Sequence, residues 1–379
     1  MDENMKILYV ATVSNTINAF MIPHIKMLIN QGHNVDIACN IKNEINSELL
    51  ERGCKVFNLN FQRSPFQRSN FEAYKELKKI IVNEGYDLIH THTPVASACS
   101  RFACRKIKDV KVIYTAHGFH FFKGASKKNW IIYYLLEKFL ARWTDAIFTM
   151  NSEDFNNAKK FKMRNPSSVF NTNGVGVDLN KFVPQTEKTK AELRKQYGYS
   201  NEDFIMIYVG ELSKRKNQKQ VIESVGLLKD KFRNIKLLLV GRGSLENSYK
   251  DLVDQLGLEE IVLFLGYRKD IPQLMGLADI ALSSSKQEGL PVNVMEAMAT
   301  GLPLVVTNSR GNRDLVLDNH NGYVVKLGSK EEFASAIEEL YMSPEKRNKF
   351  GEKSLELVEK YSLENVLEEL KNLYSKYLD

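Results

Sequence analysis

Residues 283–301 read Ser283-Ser-Ser-Lys-Gln-Glu-Gly-Leu-Pro-Val-Asn-Val-Met-Glu-Ala-Met-Ala-Thr-Gly301. The run leading into them, Asp279-Ile-Ala-Leu-Ser283, has the length and apolar character of a buried strand. Beyond Glu288-Gly289 comes Pro291, and then Val294, Met295, Ala297, Met298 and Ala299, which can turn as a helix. Proline at the first helical position and Gly301 just past the end frame that helix. Glu288 then falls in a strand-to-helix loop, and Glu296 lies on the helix that follows. Such a loop accepts anions, because free backbone N–H groups and the helix dipole converge on one spot. Two carboxylates beside an anion site make sense if the ligand also carries hydroxyls, since ionised carboxylates only accept hydrogen bonds and hydroxyls donate them. A sugar nucleotide has both parts.

The rest of the chain repeats the strand-to-helix pattern. Strands are expected at Lys6–Ala11, Asn34–Cys39, Val56–Leu59, Asp87–His90, Lys111–Thr115 and Asp145–Thr149, with helices between them. A Gly/Asn-rich break, Asn171–Asp178, and a polar linker zone, Pro184–Ser200, precede a second series. Its strands are Phe204–Val209, Ile235–Val240, Ile261–Leu265, Asp279–Ser283, Pro303–Thr307 and Tyr323–Lys326, and Pro344–Asp379 reads as helix throughout. Continuous apolar strands alternating with helices argue parallel sheets covered on both faces. At 379 residues two domains are the natural expectation. The fold class is therefore α/β, with two Rossmann-like doubly wound domains, residues 1–184 and 185–361, facing across a cleft lined by strand-end loops.

Composition excludes several classes. The longest apolar runs are strand-length and too short to span a membrane. The first residues lack the basic-then-apolar form of a signal peptide. The four cysteines have no C-x-x-C spacing, so free thiols in a reducing cytoplasm are expected. Residues 1–184 hold 25 Lys and Arg against 16 Asp and Glu, while the remainder holds 28 against 30. Within 101–142 there are 10 basic and 2 acidic residues, with Phe119, Phe121, Phe122, Trp130, Tyr133 and Tyr134 among them. Basic plus aromatic suggests nucleic acid or an anionic membrane surface, against a solvated face with core aromatics.

Strand ends carry the candidate chemistry. In the first domain they present Thr12–Thr16 (with Asn15), His90–Pro94 (with His92 and Thr93) and Ala116–Gly124 (with His117, Phe119 and His120). A metal at His90 and His92 would need more than two ligands, so core packing fits His90 and a polar strand-end contact fits His92. In the second domain the first strand end reads Gly210-Glu-Leu-Ser-Lys-Arg-Lys-Asn217, a basic turn fit to clamp phosphate. Gly241-Arg-Gly243 is not a dinucleotide fingerprint, because Glu246 stands where the third glycine would be.

Together these features resemble the family 4 retaining glycosyltransferases of GT-B fold. The resemblance rests on Asn173-Gly…Val177-Asp178, the basic turn, Gly266-Tyr-Arg268 and Glu288-x7-Glu296 around Glu-Gly-Leu-Pro. Tyr-Thr-Ala-His117-Gly-Phe-His120 with the following Lys-Gly-Ala, and Arg310-Gly-Asn-Arg-Asp314, look like bacterial capsule and exopolysaccharide members. The resemblance implies transfer from a nucleoside-diphosphate sugar, UDP-linked by expectation, with retention and without a metal or other cofactor; the sequence has no Asp-x-Asp. It implies that Glu288 contacts the transferred sugar, Glu296 the ribose, Lys216 the diphosphate, and Arg268 the neighbourhood of the base; the basic turn adds Arg215 at the diphosphate. Ser285, Gly289, Leu290 and Pro291 would complete the donor site, with His117 assisting at the reacting centre. Asn15, Thr16, His92, Thr93, Phe119 and His120 would stand on the acceptor side. Glu211 departs from the pattern, since many members carry Arg there. Helix 362–379 is expected to return to the first domain. A polyprenyl-diphosphate-linked saccharide is the expected acceptor, at the inner face of the cell membrane. There Lys123, Lys127, Lys128, Arg105 and Arg142 would meet headgroups, and Phe121, Phe122 or Trp130 would dip in. The rival readings are a sugar-nucleotide epimerase, a non-catalytic sugar-nucleotide-binding module and a nucleic-acid binder.

Overall fold

The computed structural model describes residues 4–378. Met1 to Glu3 and Asp379, which the N-terminal and C-terminal readings include, lie outside the described residues. Seven strands run through the first half: β1 (Lys6–Val13), β2 (Asn34–Asn40), β3 (Val56–Asn58), β4 (Leu88–His92), β5 (Lys111–Ala116), β6 (Ala146–Thr149) and β7 (Val169–Asn171). All are parallel, in the order β3-β2-β1-β4-β5-β6-β7. Six more form a second parallel sheet: β8 (Phe204–Val209), β9 (Ile235–Val240), β10 (Val262–Gly266), β11 (Ile280–Ser283), β12 (Leu304–Thr307) and β13 (Gly322–Val325), in the order β10-β9-β8-β11-β12-β13. The apolar runs behave as expected: Ile7 to Ala11, and Ile205 to Tyr208, are at most 1% exposed, because helices cover both faces.

Each sheet reverses its winding direction once, between β1 and β4 and between β8 and β11. Connections leave such a pair toward opposite faces, so a crevice opens at the carboxyl ends of the two strands. That is why the loops after β1, β4, β8 and β11 are the ones to inspect.

The chain divides into two compact units, residues 1–175 with 364–379, and residues 176–363. In the first, helix Leu363–Leu378 buries Val366, Leu370, Leu373 and Tyr374. The Tyr374 hydroxyl meets the Tyr9 hydroxyl and His90 Nδ1, and His90 Nε2 lies 2.7 Å from Thr115 Oγ1. His90 is thus a satisfied core residue. In the second unit, Val177 and Ser362 form a short parallel bridge, with Val177 N–H donating to Tyr361 O and Leu363 N–H to Val177 O. Gly176, at φ +86°, permits this approach: a Cβ there would stand 2.9 Å from Leu363 Cα.

Three expectations need correction. The polar stretch read as a linker contains an eleven-residue helix, Glu187–Tyr197, capped by the Thr186 side chain and closed by left-handed Gly198. Polarity disguised it, because it is anchored by charge: Arg194 Nη2 and Lys190 Nζ each lie 2.7 Å from Asp279. Pro291 is the N-cap of helix Val292–Ala299, one residue earlier than its expected first helical position. Phe121 is fully buried, stacked 4.7 Å from Phe119 and edge-on to Tyr134 and Phe161, so it cannot reach a membrane. Trp130 is half-buried and donates its indole N–H to Phe122 O.

Asp279 also accepts from Ile205 N–H at 2.7 Å. Asp279→Ala would leave the buried Arg194 guanidinium without its carboxylate. We expect a loss of about 3–5 kcal/mol in urea unfolding of the second unit, against little change for Lys353→Ala at an exposed pair.

Candidate active site

The β8 and β11 loops are stitched together. Lys286 N–H donates to Arg215 O at 2.8 Å, Asn217 Nδ2 to Ser284 O at 3.2 Å, and Ser284 Oγ to Asn217 O at 2.7 Å. From inside β8, the buried Tyr208 hydroxyl donates to Lys216 O at 2.6 Å and lies 3.2 Å from Ser285 Oγ. The β12 end supports them, with Thr307 Oγ1 donating to Ser285 O at 2.6 Å. Arg310, itself buried, donates from Nε to Glu288 O at 2.8 Å. Gly311, at φ +83°, is needed because a Cβ would sit 2.8 Å from Gly289 O and 2.9 Å from Glu288 Cβ.

This frame holds Glu288 against two cations. Its Oε1 lies 2.8 Å from Lys216 Nζ and its Oε2 2.7 Å from Arg215 Nη1. Glu288 and Lys216 are nearly buried, whereas the Arg215 side chain is 42% exposed. Burial alone would push the Glu288 carboxyl up, but the charges of Lys216 and Arg215 outweigh it and hold the group below its ordinary range. Among the described residues no side-chain hydrogen bond caps the helix that starts at Val292, four residues after Glu288, so its positive dipole end adds to the two cations.

Glu296 sits on that helix, half-buried. Burial pushes its carboxyl up to about 7, against the opposing pull of Lys181 and Lys216. Leu290 and Pro291 are buried beside the loop, and Gly289 is half-buried. Arg268 follows the end of edge strand β10, donating from Nε to Asp270 Oδ1 at 2.8 Å and paired through Nη2 with Asp270 Oδ2. The structure thus joins Arg215, Lys216, Ser285 and Glu288 directly, and Arg268 is held in an ion pair with Asp270. Tyr208, Asn217 and Arg310 escaped the sequence reading. Arg310 lay inside a quoted strand-end motif, but nothing in the sequence indicates that it braces the Glu288 carbonyl.

In the first unit the β1 and β4 ends meet through Thr93. Its Oγ1 accepts from Thr12 N–H at 3.0 Å and lies 2.7 Å from Thr12 Oγ1. Thr93 has φ +66°, a strained setting for a β-branched residue and one found mostly where a site demands it. His92 Nδ1 lies 3.1 Å from His117 Nε2, at the end of β5. Burial pushes His117 down to about 4, and burial with its neighbours His90 and His117 holds His92 well below the ordinary range. Both rings therefore favour their neutral forms near pH 7, and across the contact one donates an N–H to the other's bare nitrogen. Thr16, Thr93 and His120 line one pocket with Thr12, and Asn15 lines an adjoining one. Phe119 is core, and its backbone N–H donates to Asp154 Oδ2.

A doubly wound sheet with a cation-flanked carboxylate at its reversal point defines a protein that can take a phosphate and a hydroxyl-bearing group together. Comparison with known proteins specifies the class. Residues 189–356 match the family of group 1 glycosyl transferases, and residues 6–151 the glycosyl transferase 4-like family. The chain is 39% identical over 376 residues to a protein named as glycosyltransferase EpsD of Bacillus subtilis strain 168, covering 99% of this chain and 97% of that one. It is 32% identical over 278 residues, 71% of this chain and 69% of the other, to the UDP-Gal:α-D-GlcNAc-diphosphoundecaprenol α-1,3-galactosyltransferase of Escherichia coli. The structure of Anabaena HepE in complex with UDP-glucose superposes with a TM-score of 0.79 at 21% identity, over 98% of this chain and 100% of that one. The chain belongs to the family 4, group 1 glycosyltransferases, and its two parallel sheets are those of the GT-B fold.

The Glu296 carboxyl gives a pH signature. Its folded value of about 7 exceeds the ordinary 4.5, so between those values the folded chain binds more protons and stability falls as pH rises. Wild type should lose up to about 3 kcal/mol of unfolding free energy from this group between pH ~4.5 and ~7. Glu296→Gln should remove that part of the slope in urea titrations at the two pH values.

Proposed function

We propose that this protein transfers a sugar from a UDP-sugar to a hydroxyl of a polyprenyl-diphosphate-linked saccharide, with retention, in capsule or exopolysaccharide assembly. The observation that carries the donor half is Glu288 gripped by Lys216 and Arg215 at the β8/β11 reversal. In the free protein the carboxylate occupies the negative position between two cations. A donor diphosphate would take over those cations, and Glu288, released, would accept hydrogen bonds from the sugar hydroxyls. As the bond from anomeric carbon to diphosphate oxygen breaks, charge grows on the diphosphate where Lys216, Arg215 and the helix N-terminus stand ready. The acceptor oxygen bonds to the anomeric carbon on the same face, and its proton passes to the departing phosphate oxygen. No metal is required in this scheme, since the cations are side chains. His117, neutral and oriented by His92, would orient the acceptor hydroxyl.

The donor sugar's hydroxyls fall to Glu288 and the ribose to Glu296. Glu288→Ala should therefore lower kcat about 100-fold or more while UDP affinity, measured by calorimetry, does not fall. Glu296→Ala should do the reverse. Equal effects on both quantities would undo the assignment. The epimerase and binding-module readings are separated by product analysis: donor alone should give no epimer, and transfer should require acceptor.

The support for a membrane-borne acceptor is a surface that the sequence reading misplaced. Ile131, Leu135 and Phe139 recur every four residues along 127–143, and all are exposed, as are Ile132 and Leu136. Lys127, Lys128, Lys138 and Arg142 are exposed on the same segment. An apolar ridge with basic flanks suits an anionic bilayer, whereas Arg105 is engaged with Tyr74 and Phe102 O. Among the described residues no helix is long and apolar enough to cross a membrane. In flotation with phosphatidylglycerol vesicles, Leu135→Glu with Phe139→Glu should weaken binding about tenfold or more. Phe121→Leu, a core change, should not.

A further inference from the structure

Two features behind Lys216 take no part in its ion pair, yet they fix where its ammonium stands. The first is Tyr208, on β8. Its ring lies in the core of the second unit with Leu212, Val221 and Leu282, and the residue is 1% exposed. From that core the hydroxyl donates to Lys216 O at 2.6 Å. Ser284 Oγ also faces this carbonyl, at 3.3 Å, but lies closer to Asn217 O, at 2.7 Å. The second feature is Gly210, at the end of β8, whose own N–H donates to Val240 O at 2.8 Å. A Cβ on Gly210 would stand 3.3 Å from Lys216 Cε and 3.4 Å from Cδ, so the lysine stem is seated on the bare glycine.

We propose that Tyr208 and Gly210 are positioning residues for sugar transfer, holding the peptide and the stem of Lys216 so that its ammonium keeps its place when the donor diphosphate displaces Glu288. This rests on the donor reading above and adds to it the residues that act through Lys216. The need arises from the ion pair itself. In the free protein Glu288 Oε1, 2.8 Å away, locates Lys216 Nζ. Once that carboxylate turns to the sugar, a flexible lysine side chain would have to be ordered by the phosphate, at a cost in rotamer entropy. A peptide tied at its carbonyl and a stem seated on glycine are ordered during folding instead. The cation is then already aimed at the oxygens on which charge grows. Arg215, 42% exposed on the other side of Glu288, has the opposite character and can adapt to the ligand.

A double-mutant cycle on UDP affinity, read by calorimetry, tests this with neither sugar nor acceptor identified. Tyr208→Phe keeps the ring in the core and deletes one hydroxyl, and it should weaken UDP binding about tenfold. In the Lys216→Met background the same substitution should change UDP affinity by less than about twofold, because the side chain it acts through is gone. Gly210→Ala, whose methyl would press on Lys216 Cδ and Cε, should behave alike, with a loss of about fivefold or more beside Lys216 and less than about twofold beside Met. The Gly210 cycle decides the matter alone if Tyr208→Phe does not fold. Ile337→Val, a core change on helix Lys330–Met342, should lower the urea midpoint and leave UDP affinity unchanged, which separates lost stability from lost positioning. Equal losses in the two backgrounds, or no loss beside Lys216, would overturn the proposal. Wild type that binds UDP while the cycles are additive sinks the positioning role alone. Wild type that binds no UDP sinks the donor reading and this inference with it.

Discussion

A carboxylate that is 8% exposed cannot keep its charge without compensation, and Glu288 keeps it because Lys216 and Arg215 close on it from one loop. The constraint runs backwards through the structure. For Lys216 to reach Glu288, the loops after β8 and β11 must lie in fixed register, which the Lys286, Asn217 and Ser284 hydrogen bonds impose. For those bonds to form, β8 and β11 must be neighbours, which is the point where the sheet reverses. The exposed Arg215 is the adaptable partner. The nearly buried Lys216 is the fixed one, its carbonyl held by Tyr208.

The two sheets use the same topological opportunity for different chemistry. At β8/β11 the crevice is lined by charge, and the buried polar groups behind it, Ser284, Ser285, Thr307 and Asn312, are tied to backbone carbonyls or to one another. At β1/β4 the pocket is lined by hydroxyls, the His120 ring and apolar walls, and it includes Thr93 in a backbone setting that β-branched residues avoid. The neutrality of His92 and His117 follows from their burial. It makes them hydrogen-bonding groups rather than charges, as their mutual contact requires.

Much of this was legible in the sequence because it is local. Parallel strands buried on both faces write themselves as apolar runs, and the carboxylates flank a strand-to-helix turn whose proline and glycine mark it. What was not legible depends on partners far along the chain. Helix Glu187–Tyr197 has few apolar residues and reads as linker until Asp279, more than eighty residues on, is seen to bind Arg194 and Lys190. Strand β7 has the same Val-Phe-Asn sequence as β3, but it runs into Asn171-Thr-Asn-Gly, whose Gly/Asn-rich character reads as a break and hides it. The aromatic, basic stretch was correctly singled out, but composition does not say which face is solvated. Phe119 and Phe121 went into a ring cluster with Tyr134 and Phe161, and the aliphatic Ile131, Leu135 and Phe139 face was left outside.

Glu211 remains as the departure from the family pattern, and its surroundings bear on how far it disturbs the site. It follows Gly210 at the mouth of the basic turn, where an acid would oppose a bound diphosphate. Its side chain is exposed, so water screens it, and its backbone carbonyl is occupied by Gln218 Nε2 at 2.9 Å. The cations that matter lie four and five residues further on, one of them nearly buried, where screening is weak. Position therefore sets the balance: a solvated carboxylate at the rim is outweighed by Lys216 held in the low-dielectric floor of the crevice. The cation that position 211 lacks is present at Arg215, which the fold has brought within 2.7 Å of Glu288.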